Sequence, residues 1–154
     1  MLMATLVILA ALLQVVTVAI VDTGINVTHP HFEGVSIDTY DATLGDNPNG
    51  IEDRCLHGTA MAGIVHDQNP EAHLLVIQAS NDCFLRQDHV ANGVDYAVAN
   101  GAEIILITSG STYDYPPLRE SITRAVESGV LVVISAGNTG NDVPHNIPQP
   151  IQRR

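Results

Sequence analysis

The sequence contains no tryptophan and only two phenylalanines among its 154 residues. A core without large aromatic side chains must be filled by valine, isoleucine, leucine and alanine, and this length is enough for one domain with such a core. Internal repeats and low-complexity linkers are also lacking, so no boundary is expected within the main part of the chain. The composition therefore predicts a single domain with an aliphatic interior.

Basic residues are scarce. Six lysines and arginines stand against seventeen aspartates and glutamates, which gives a formal net charge of −11. This excess of negative charge argues against nucleic acid and anionic membranes as partners. The acidic residues are scattered and do not form runs, so we interpret them as a solubilising surface. This group includes Asp38, Asp41, Asp46, Glu52 and Asp53.

Cysteine is nearly absent as well. Cys55 and Cys83 are the only two, and no Cys-x-x-Cys motif indicates a zinc site. They either form a disulfide, which would favour an oxidising compartment, or remain thiols that act as small apolar residues. The seven histidines form no His-x-x-x-His or His-Glu pair, so we predict no metal site. A Gly-x-Gly-x-x-Gly motif is also missing after the first strand, and no cofactor is expected.

The apolar stretch from Met1 to Leu13 has no charged residue. It resembles the apolar region of an export signal, but no basic residue precedes it and no Ala-x-Ala-like cleavage site follows. It reaches the ~20 residues of a membrane span only by consuming the next strand, so a membrane role is not expected. We interpret residues 1–14 as a degenerate export signal, a buried helix or a consequence of where the chain begins, and 15–154 as the domain. An export signal would favour a secreted or extracytoplasmic protein.

Strand-like and helix-like segments alternate along the chain. Runs of apolar residues predict strands at 15–21, 74–79, 104–108 and 130–134, and 35–40 is a short second strand candidate. Helical spacing predicts three helices with inward residues: 57–65 (Ala60, Met61, Ile64, Val65), 88–100 capped by Asp88 (Val90, Val94, Ala97, Val98), and one before Gly129 (Leu118, Ile122, Ala125, Val126). The alternation predicts an α/β fold, a doubly wound parallel sheet with right-handed crossovers.

Three motifs place polar residues at strand ends or at a helix start, where sites form in such sheets. They are Asp22-Thr23-Gly24, His57-Gly58-Thr59 and Ser135-Ala136-Gly137-Asn138. A carboxylate can orient an imidazole, the imidazole can act as a general base, and an amide can donate to an oxyanion. These are parts of an acyl-transfer site. The missing part is the nucleophile, because no serine follows Asn138.

Asp22-Thr23-Gly24 also has a second interpretation. Aspartic proteases of the retroviral type carry Asp-Thr-Gly after an apolar strand, and Asp22 would then be the catalytic carboxylate of a dimer. That fold is nearly all β, and two of the three helices predicted here are clearly amphipathic, which argues against it.

The motifs together resemble subtilisin-like serine proteases (subtilases, peptidase family S8) from about Val15 to Asn141. The matching segments are VAIVDTGINVTHPHF, HGTAMAGIV, ANGVDYAVANGAEIILITSG and AVESGVLVVISAGNTG. The resemblance implies a subtilisin-type fold, truncated before the nucleophile helix, and serine endopeptidase activity. It implies Asp22 and His57 as triad members and Asn138 as the oxyanion amide. It further implies an extended polypeptide substrate that contacts two segments: Thr108, Ser109 and Gly110, and Ser135, Ala136 and Gly137.

Departures from the family pattern qualify this prediction. The Gly-Thr-Ser-Met-Ala segment that carries the family's nucleophile is not present before Arg154, so we expect the chain to be inactive alone and a complementing C-terminal half to be a partner. The alternative is a peptide-binding module without catalysis. Substitution of the nucleophile by Ser109 or Ser111 is disfavoured. His31 stands where many relatives have a calcium-binding aspartate, and 67–71 is too short for a calcium loop, so no calcium site of that kind is predicted.

Three further expectations follow for the structure. The Asp22 carboxylate and the His57 ring should lie within hydrogen-bonding reach. Cys55 and Cys83 should be close enough to be joined. The strand and strand end at 130–136 should present an exposed apolar edge and face.

Overall fold

A computed structural model describes residues 15–43, 51–110 and 114–137, and these form an α/β fold around one parallel sheet. The strand order is β2-β3-β1-β4-β5. The strands are β1 (Thr17–Asp22), β2 (Ile37–Asp41), β3 (His73–Gln78), β4 (Ile104–Ile107) and β5 (Leu131–Ile134). The helices are α1 (His57–Gln68), α2 (Gln87–Ala99) and α3 (Pro116–Glu127), with a short 3-10 helix at Pro30–Phe32. The predicted fold class is confirmed, and the strand bounds differ from the prediction by one or two residues.

Strand β1 lies at the centre of the sheet and determines where the site forms. It pairs in parallel with β3 on one side and with β4 on the other, so that Val18 lies opposite both Leu74 and Ile104. Every residue of β1 after Thr17 is buried, which explains its continuous β-branched run. The strand ends at Asp22, whose side chain is therefore placed at the carboxyl edge of the sheet.

Two apolar clusters cover the opposite faces of the sheet. On one face α1 contributes Ala62, which packs with Val18, Ile20, Leu74 and Val76. On the other face α2 and α3 pack on the second side of the same strands. That cluster includes Ala19, Val21, Leu75, Ile77, Val90, Val94, Ala97, Ile105, Ile107, Ile122, Ala125 and Val132. Helices thus pack on both faces of the sheet, as the doubly wound prediction requires.

The prediction that all crossovers are right-handed is wrong. The connections β2–α1–β3, β3–α2–β4 and β4–α3–β5 all advance along the sheet in the same direction, but α1 lies on the face opposite to α2 and α3. The first connection therefore has the opposite hand to the other two. Helix α2 already fills the second face over β1 and β3, where Gly93 lies against Val21 and Ile77. The long connection from β2 to α1 also relaxes the preference that short connections impose.

Two details of the helix predictions are also wrong. Ala60 and Ile64 were expected to face inward, but both are exposed, and the buried residues of α1 are Gly58 and Ala62. Met61 and Val65, the other two residues expected to face inward, are partly buried against the core, so the predicted face of α1 is correct in part. Asp88 does not cap α2, because the helix begins at Gln87 and Asp88 lies in its first turn, paired with Arg86. The remaining inward residues of α2 and α3 are buried or partly buried against the core.

Strand β5 forms one edge of the sheet, and within the described residues it pairs only with β4. Leu131 and Val133 remain 55% and 43% exposed on this strand, whereas Val132 between them is buried. The expectation of an exposed apolar face at this strand is confirmed. In the part of the chain that the structure describes, no helix is both long and apolar enough to cross a membrane.

Candidate functional site

Parallel strands bring the predicted residues to one edge of the sheet. Asp22 is the last residue of β1, Thr108–Gly110 follows β4, and Ser135–Gly137 follows β5. His57 reaches the same edge because it is the first residue of α1. Asn138, Ser111 and the segment 1–14 lie outside the described residues, so the predictions for them stay predictions.

Asp22 and His57 form a direct contact. The His57 Nδ1 atom lies 2.9 Å from Asp22 Oδ1 and 2.8 Å from Oδ2, which confirms the expected geometry. The Asp22 side chain has no solvent exposure, whereas that of His57 is 53% exposed. The Thr23 N–H also donates to Asp22 Oδ1 at 2.6 Å. A carboxylate held this way favours the ring tautomer with the proton on Nδ1, which leaves Nε2 as the acceptor.

The contact depends on a close approach of two backbone segments. A Cβ atom added at Gly58 would lie 2.1 Å from the Gly24 carbonyl oxygen and 3.0 Å from the Gly24 nitrogen. No side chain fits at that distance, so position 58 must be glycine for α1 to start beside the end of β1. Gly24 itself has φ of +110°, a conformation that residues with a Cβ rarely adopt. The glycines in both motifs thus allow His57 to reach Asp22.

Asp53 is a buried carboxylate and not a solubilising surface group. It is 6% exposed, and Asp41, another member of that predicted group, is 1% exposed, so the surface prediction is wrong for both. Asp53 Oδ1 accepts from Thr23 Oγ1 and from the Cys55 N–H, at 2.8 and 3.1 Å. Its Oδ2 accepts from the Thr59 N–H and Thr59 Oγ1, at 2.8 and 2.5 Å. Protonation would place a donor on one of the two oxygens and weaken the bonds that this oxygen accepts, so these contacts favour the charged carboxylate.

Burial and hydrogen bonding act in opposite directions on the pKa of Asp53. Burial disfavours the charged form and by itself raises the pKa, but the hydrogen bonds from Thr59, Thr23 and Cys55 outweigh it. The pKa of Asp53 is therefore lowered from its ordinary value of 3.8.

Cys55 and Cys83 form a disulfide, with their Cα atoms 5.5 Å apart. The bond joins the segment before α1 to the loop after β3, which confirms that the two segments are neighbours. Leu56 separates this disulfide from His57 and adopts a left-handed conformation with φ of 60°. Such a conformation is costly for a branched side chain and persists only where the surroundings determine it.

A cavity of about 450 Å³ opens beside the His57 ring. The disulfide and the loop after β3 form one side of it, and the segment after β4 forms another. Its lining residues are Thr23, Cys55, His57, Cys83, Phe84, Leu85, Thr108, Ser109 and Gly110. The predicted base and the first predicted substrate-binding segment therefore share one cleft.

The second predicted substrate-binding segment lies directly beside the first. Ser135 Oγ donates to the Thr108 carbonyl oxygen at 3.0 Å. A Cβ atom at Gly110 would lie 3.2 Å from the Ser135 carbonyl oxygen, so the two chain segments touch through backbone atoms. Thr108 Oγ1 also donates to the Val21 carbonyl oxygen at 3.3 Å, which ties this edge to β1.

Metal binding finds no support in the described ranges. Nowhere in 15–43, 51–110 or 114–137 do three histidine, cysteine, aspartate or glutamate side chains converge in a way that could hold an ion. The imidazole of His31 instead pairs with Asp67, with Nε2 3.1 Å from Oδ1.

The sequence reasoning missed Thr23 and Asp53 as site residues. Thr23 was read only as part of the motif after β1, although its hydroxyl bonds both Asp53 and the Gly58 N–H. A usable signal existed for Asp53, because it stands four residues before His57 in a segment whose other landmarks had been identified. Phe84 and Leu85 belong to no sequence motif, and only the fold shows that they line the cleft.

Comparison with known proteins gives a consistent result. The model of the subtilase family (peptidase S8) matches residues 14–152. The major intracellular serine protease of Bacillus subtilis (strain 168) is 34% identical over 139 residues, which cover 82% of this chain and 44% of that protein. Thermitase of Thermoactinomyces vulgaris is 32% identical over 139 residues, which cover 83% of this chain and 49% of that protein.

Solved structures agree with the family match. A lanthipeptide protease superposes with a TM-score of 0.71 at 25% identity, covering 81% of this chain and 40% of that one. The patellamide maturation protease PatA gives a TM-score of 0.66 at 26% identity, covering 81% of this chain and 49% of that one. The chain thus spans about half or less of the length of these relatives. It belongs to the subtilase family, and the parallel sheet with its Asp22–His57 pair is incompatible with the aspartic protease interpretation.

The lowered pKa of Asp53 predicts a specific dependence of stability on pH. The folded state binds the Asp53 proton less tightly than the unfolded state, so acidification favours unfolding. The stabilisation is complete above about pH 5 and is lost as the pH falls through the ordinary value to the lower folded one. Urea unfolding of wild type and Asp53→Asn should therefore show a difference in unfolding free energy that shrinks as the pH falls from about 5 to about 3. A difference that stays constant across this interval would contradict the assignment.

Proposed function

We propose that this chain supplies the Asp–His pair and the substrate-binding edge of a serine endopeptidase site. The observation that carries the proposal is the contact of His57 Nδ1 with both oxygens of a fully buried Asp22. Nε2 is then the ring nitrogen that Asp22 leaves unengaged, on a ring that borders the cleft. This is the arrangement in which an imidazole accepts a proton from a hydroxyl nucleophile. Family membership supports the same chemistry.

The proposed reaction proceeds in two stages. A serine hydroxyl transfers its proton to His57 Nε2 while its oxygen bonds to the carbonyl carbon of the peptide. The C–N bond then breaks, and the imidazolium returns the proton to the departing amine. Water repeats the sequence on the acyl-enzyme. Asp22 keeps the ring oriented and stabilises its positive charge, and it gains no proton itself.

The proposed oxyanion donor is the side-chain amide of Asn138. It follows Gly137, which ends the segment after β5 with φ of +83° and thereby turns the chain at the edge that carries the site. Loss of such a donor typically costs ~3–4 kcal/mol of transition-state stabilisation.

An extended polypeptide is the proposed substrate. The segment Thr108–Gly110 lines the cleft and Ser135–Gly137 lies directly beside it, and both are suited to main-chain hydrogen bonds with a peptide laid alongside them. Phe84 and Leu85 give the same cleft an apolar wall. The polar edge would fix the direction of the peptide, and the apolar wall would accommodate an aliphatic or aromatic side chain.

The nucleophile is proposed to come from a segment outside these 154 residues. No serine follows Asn138, and among the residues that the structure describes the His57 ring hydrogen-bonds only to Asp22. Ser109 lines the same cleft but makes no hydrogen bond with the ring. We therefore assign Ser109 to the substrate-binding edge, and expect the chain alone to bind peptides without cleaving them.

The exposed side of β5 suggests where such a further segment docks. Leu131 and Val133 leave an apolar strip on an edge strand, and edges of this kind are normally covered or paired. A complementing C-terminal polypeptide is the proposed partner. Without it, copies of the chain are expected to associate through the same strip.

Sedimentation velocity tests this docking edge. Wild type should form concentration-dependent oligomers, and Leu131→Lys with Val133→Lys should shift the chain toward monomer with an unchanged circular dichroism spectrum. Ile64→Lys is the matched control, because Ile64 is 54% exposed on α1, away from the edge. A monomeric wild type, or equal effects of the edge and control variants, would refute the proposed docking edge.

Labelling with a fluorophosphonate probe tests the assignment of the nucleophile. The purified chain should neither label nor cleave an unstructured protein substrate, because no activated serine is in place. Wild-type labelling that Ser109→Ala abolishes would show that Ser109 is the nucleophile and overturn the assignment. Ser36→Ala is the matched control, since Ser36 is bonded to His73 away from the cleft and its loss should change nothing.

A further inference from the structure

Asp53 connects two threonines that flank the Asp22–His57 contact. Thr23 directly follows Asp22, and Thr59 lies two residues after His57. One Asp53 oxygen accepts from the Thr23 hydroxyl and the other accepts from the Thr59 hydroxyl. We call Asp53, Thr23 and Thr59 the threonine clasp.

The direction of these hydrogen bonds gives the clasp its effect. A threonine hydroxyl has one proton, so a hydroxyl that donates to Asp53 must act as an acceptor toward every other partner. Thr23 Oγ1 accepts the Gly58 N–H at 3.0 Å, and Thr59 Oγ1 accepts the Asn26 N–H at 3.0 Å. Thr23, which follows β1, thus binds the start of α1, and Thr59, which lies in α1, binds the loop after β1. Asp53 orients both hydroxyl groups so that they can accept these bonds.

Asp53 also replaces the missing cap of α1. The residue before the helix is Leu56, which has no side chain that can accept a hydrogen bond from the helix start. Asp53 Oδ2 accepts the Thr59 N–H instead, at the third helical residue. A carboxylate at this position both satisfies an unpaired donor and interacts favourably with the helix dipole. The start of α1, which carries His57, is therefore fixed by Asp53 at two points.

We propose that Asp53 is a positioning residue that holds His57 on Asp22 through the threonine clasp. Thr23 is the next residue after Asp22, and Gly58 is the next residue after His57. The hydrogen bond between Thr23 and Gly58 therefore fixes the distance between Asp22 and His57. The catalytic meaning of this assignment rests on the proposed function. The effect of Asp53 on the His57 ring does not, because it is visible without any turnover.

The test is the tautomer of His57 in Asp53→Asn, read from long-range proton–nitrogen NMR spectra of the ring. Asparagine keeps the shape of aspartate but replaces one oxygen by an NH₂ group, which cannot accept a hydrogen bond. Depending on the orientation of the amide, the variant loses either the bonds from Thr59 or the bonds from Thr23 and Cys55. Wild type should show the neutral ring with its proton on Nδ1. The variant should lose this signature and show a mixture of tautomers. An unchanged ring in a folded Asp53→Asn variant would overturn the proposal.

Asp41→Asn is the matched control for destabilisation in general. Asp41 is equally buried and accepts the Thr43 N–H and hydroxyl, but it makes no bond to the clasp. Its variant should lower the urea midpoint and leave the His57 tautomer unchanged. If Asp41→Asn disturbed the ring as much as Asp53→Asn, the effect would be loss of stability and the positioning role would be refuted.

A second pair of variants applies if Asp53→Asn does not fold. Thr23→Val removes the hydroxyl that links Asp53 to Gly58, whereas Thr23→Ser retains it. The valine variant should lose the Nδ1–H signature and the serine variant should keep it. Equal spectra for the two would overturn the proposal. The proposed peptidase function is tested separately by fluorophosphonate labelling. The NMR spectra of the His57 ring do not depend on the result of that experiment, so failure of one proposal can be told apart from failure of the other.

Discussion

The approach of the Gly58 backbone to the Gly24 backbone is the constraint on which the site depends. The two backbones lie so close that no Cβ atom fits between them. The first turn of α1 therefore starts near the end of β1, and the His57 ring can reach the buried carboxylate of Asp22. This contact also determines the face on which α1 lies. The unusual hand of the first crossover follows from the same requirement, because the other face is occupied by α2.

The polar groups around this contact satisfy one another through direct hydrogen bonds. Asp22 is buried with His57 and the Thr23 N–H, and Asp53 is buried with four donors. Burying a charge is costly unless hydrogen bonds compensate it, and both carboxylates meet that condition. The disulfide closes the remaining side by tying the segment before α1 to the loop after β3. His57 is thus held by these contacts while its ring remains open to the cleft.

Much of this arrangement could be predicted from the sequence because it follows from strong local patterns. Continuous β-branched runs specify buried parallel strands, and Asp22 and His57 stand where strand and helix signals end and begin. The residues that escaped prediction depend on contacts distant in sequence. Asp53 bonds Thr23 across thirty positions, and composition alone placed it at the surface. The inward face of α1 was predicted only in part: Met61 and Val65 pack against the core, but the buried positions are the small residues Gly58 and Ala62, which carry little hydrophobic signal.

The proton of the His57 ring in the wild-type chain tests the central claim most directly. If Asp22 orients His57 as a general base, the neutral ring carries its proton on Nδ1, and Asp22→Asn changes that state. Long-range proton–nitrogen NMR correlations distinguish the two ring nitrogens in the chain as it stands. The account predicts an Nδ1–H ring in wild type that is lost in Asp22→Asn. A wild-type ring with its proton on Nε2, or one that Asp22→Asn leaves unchanged, would contradict it.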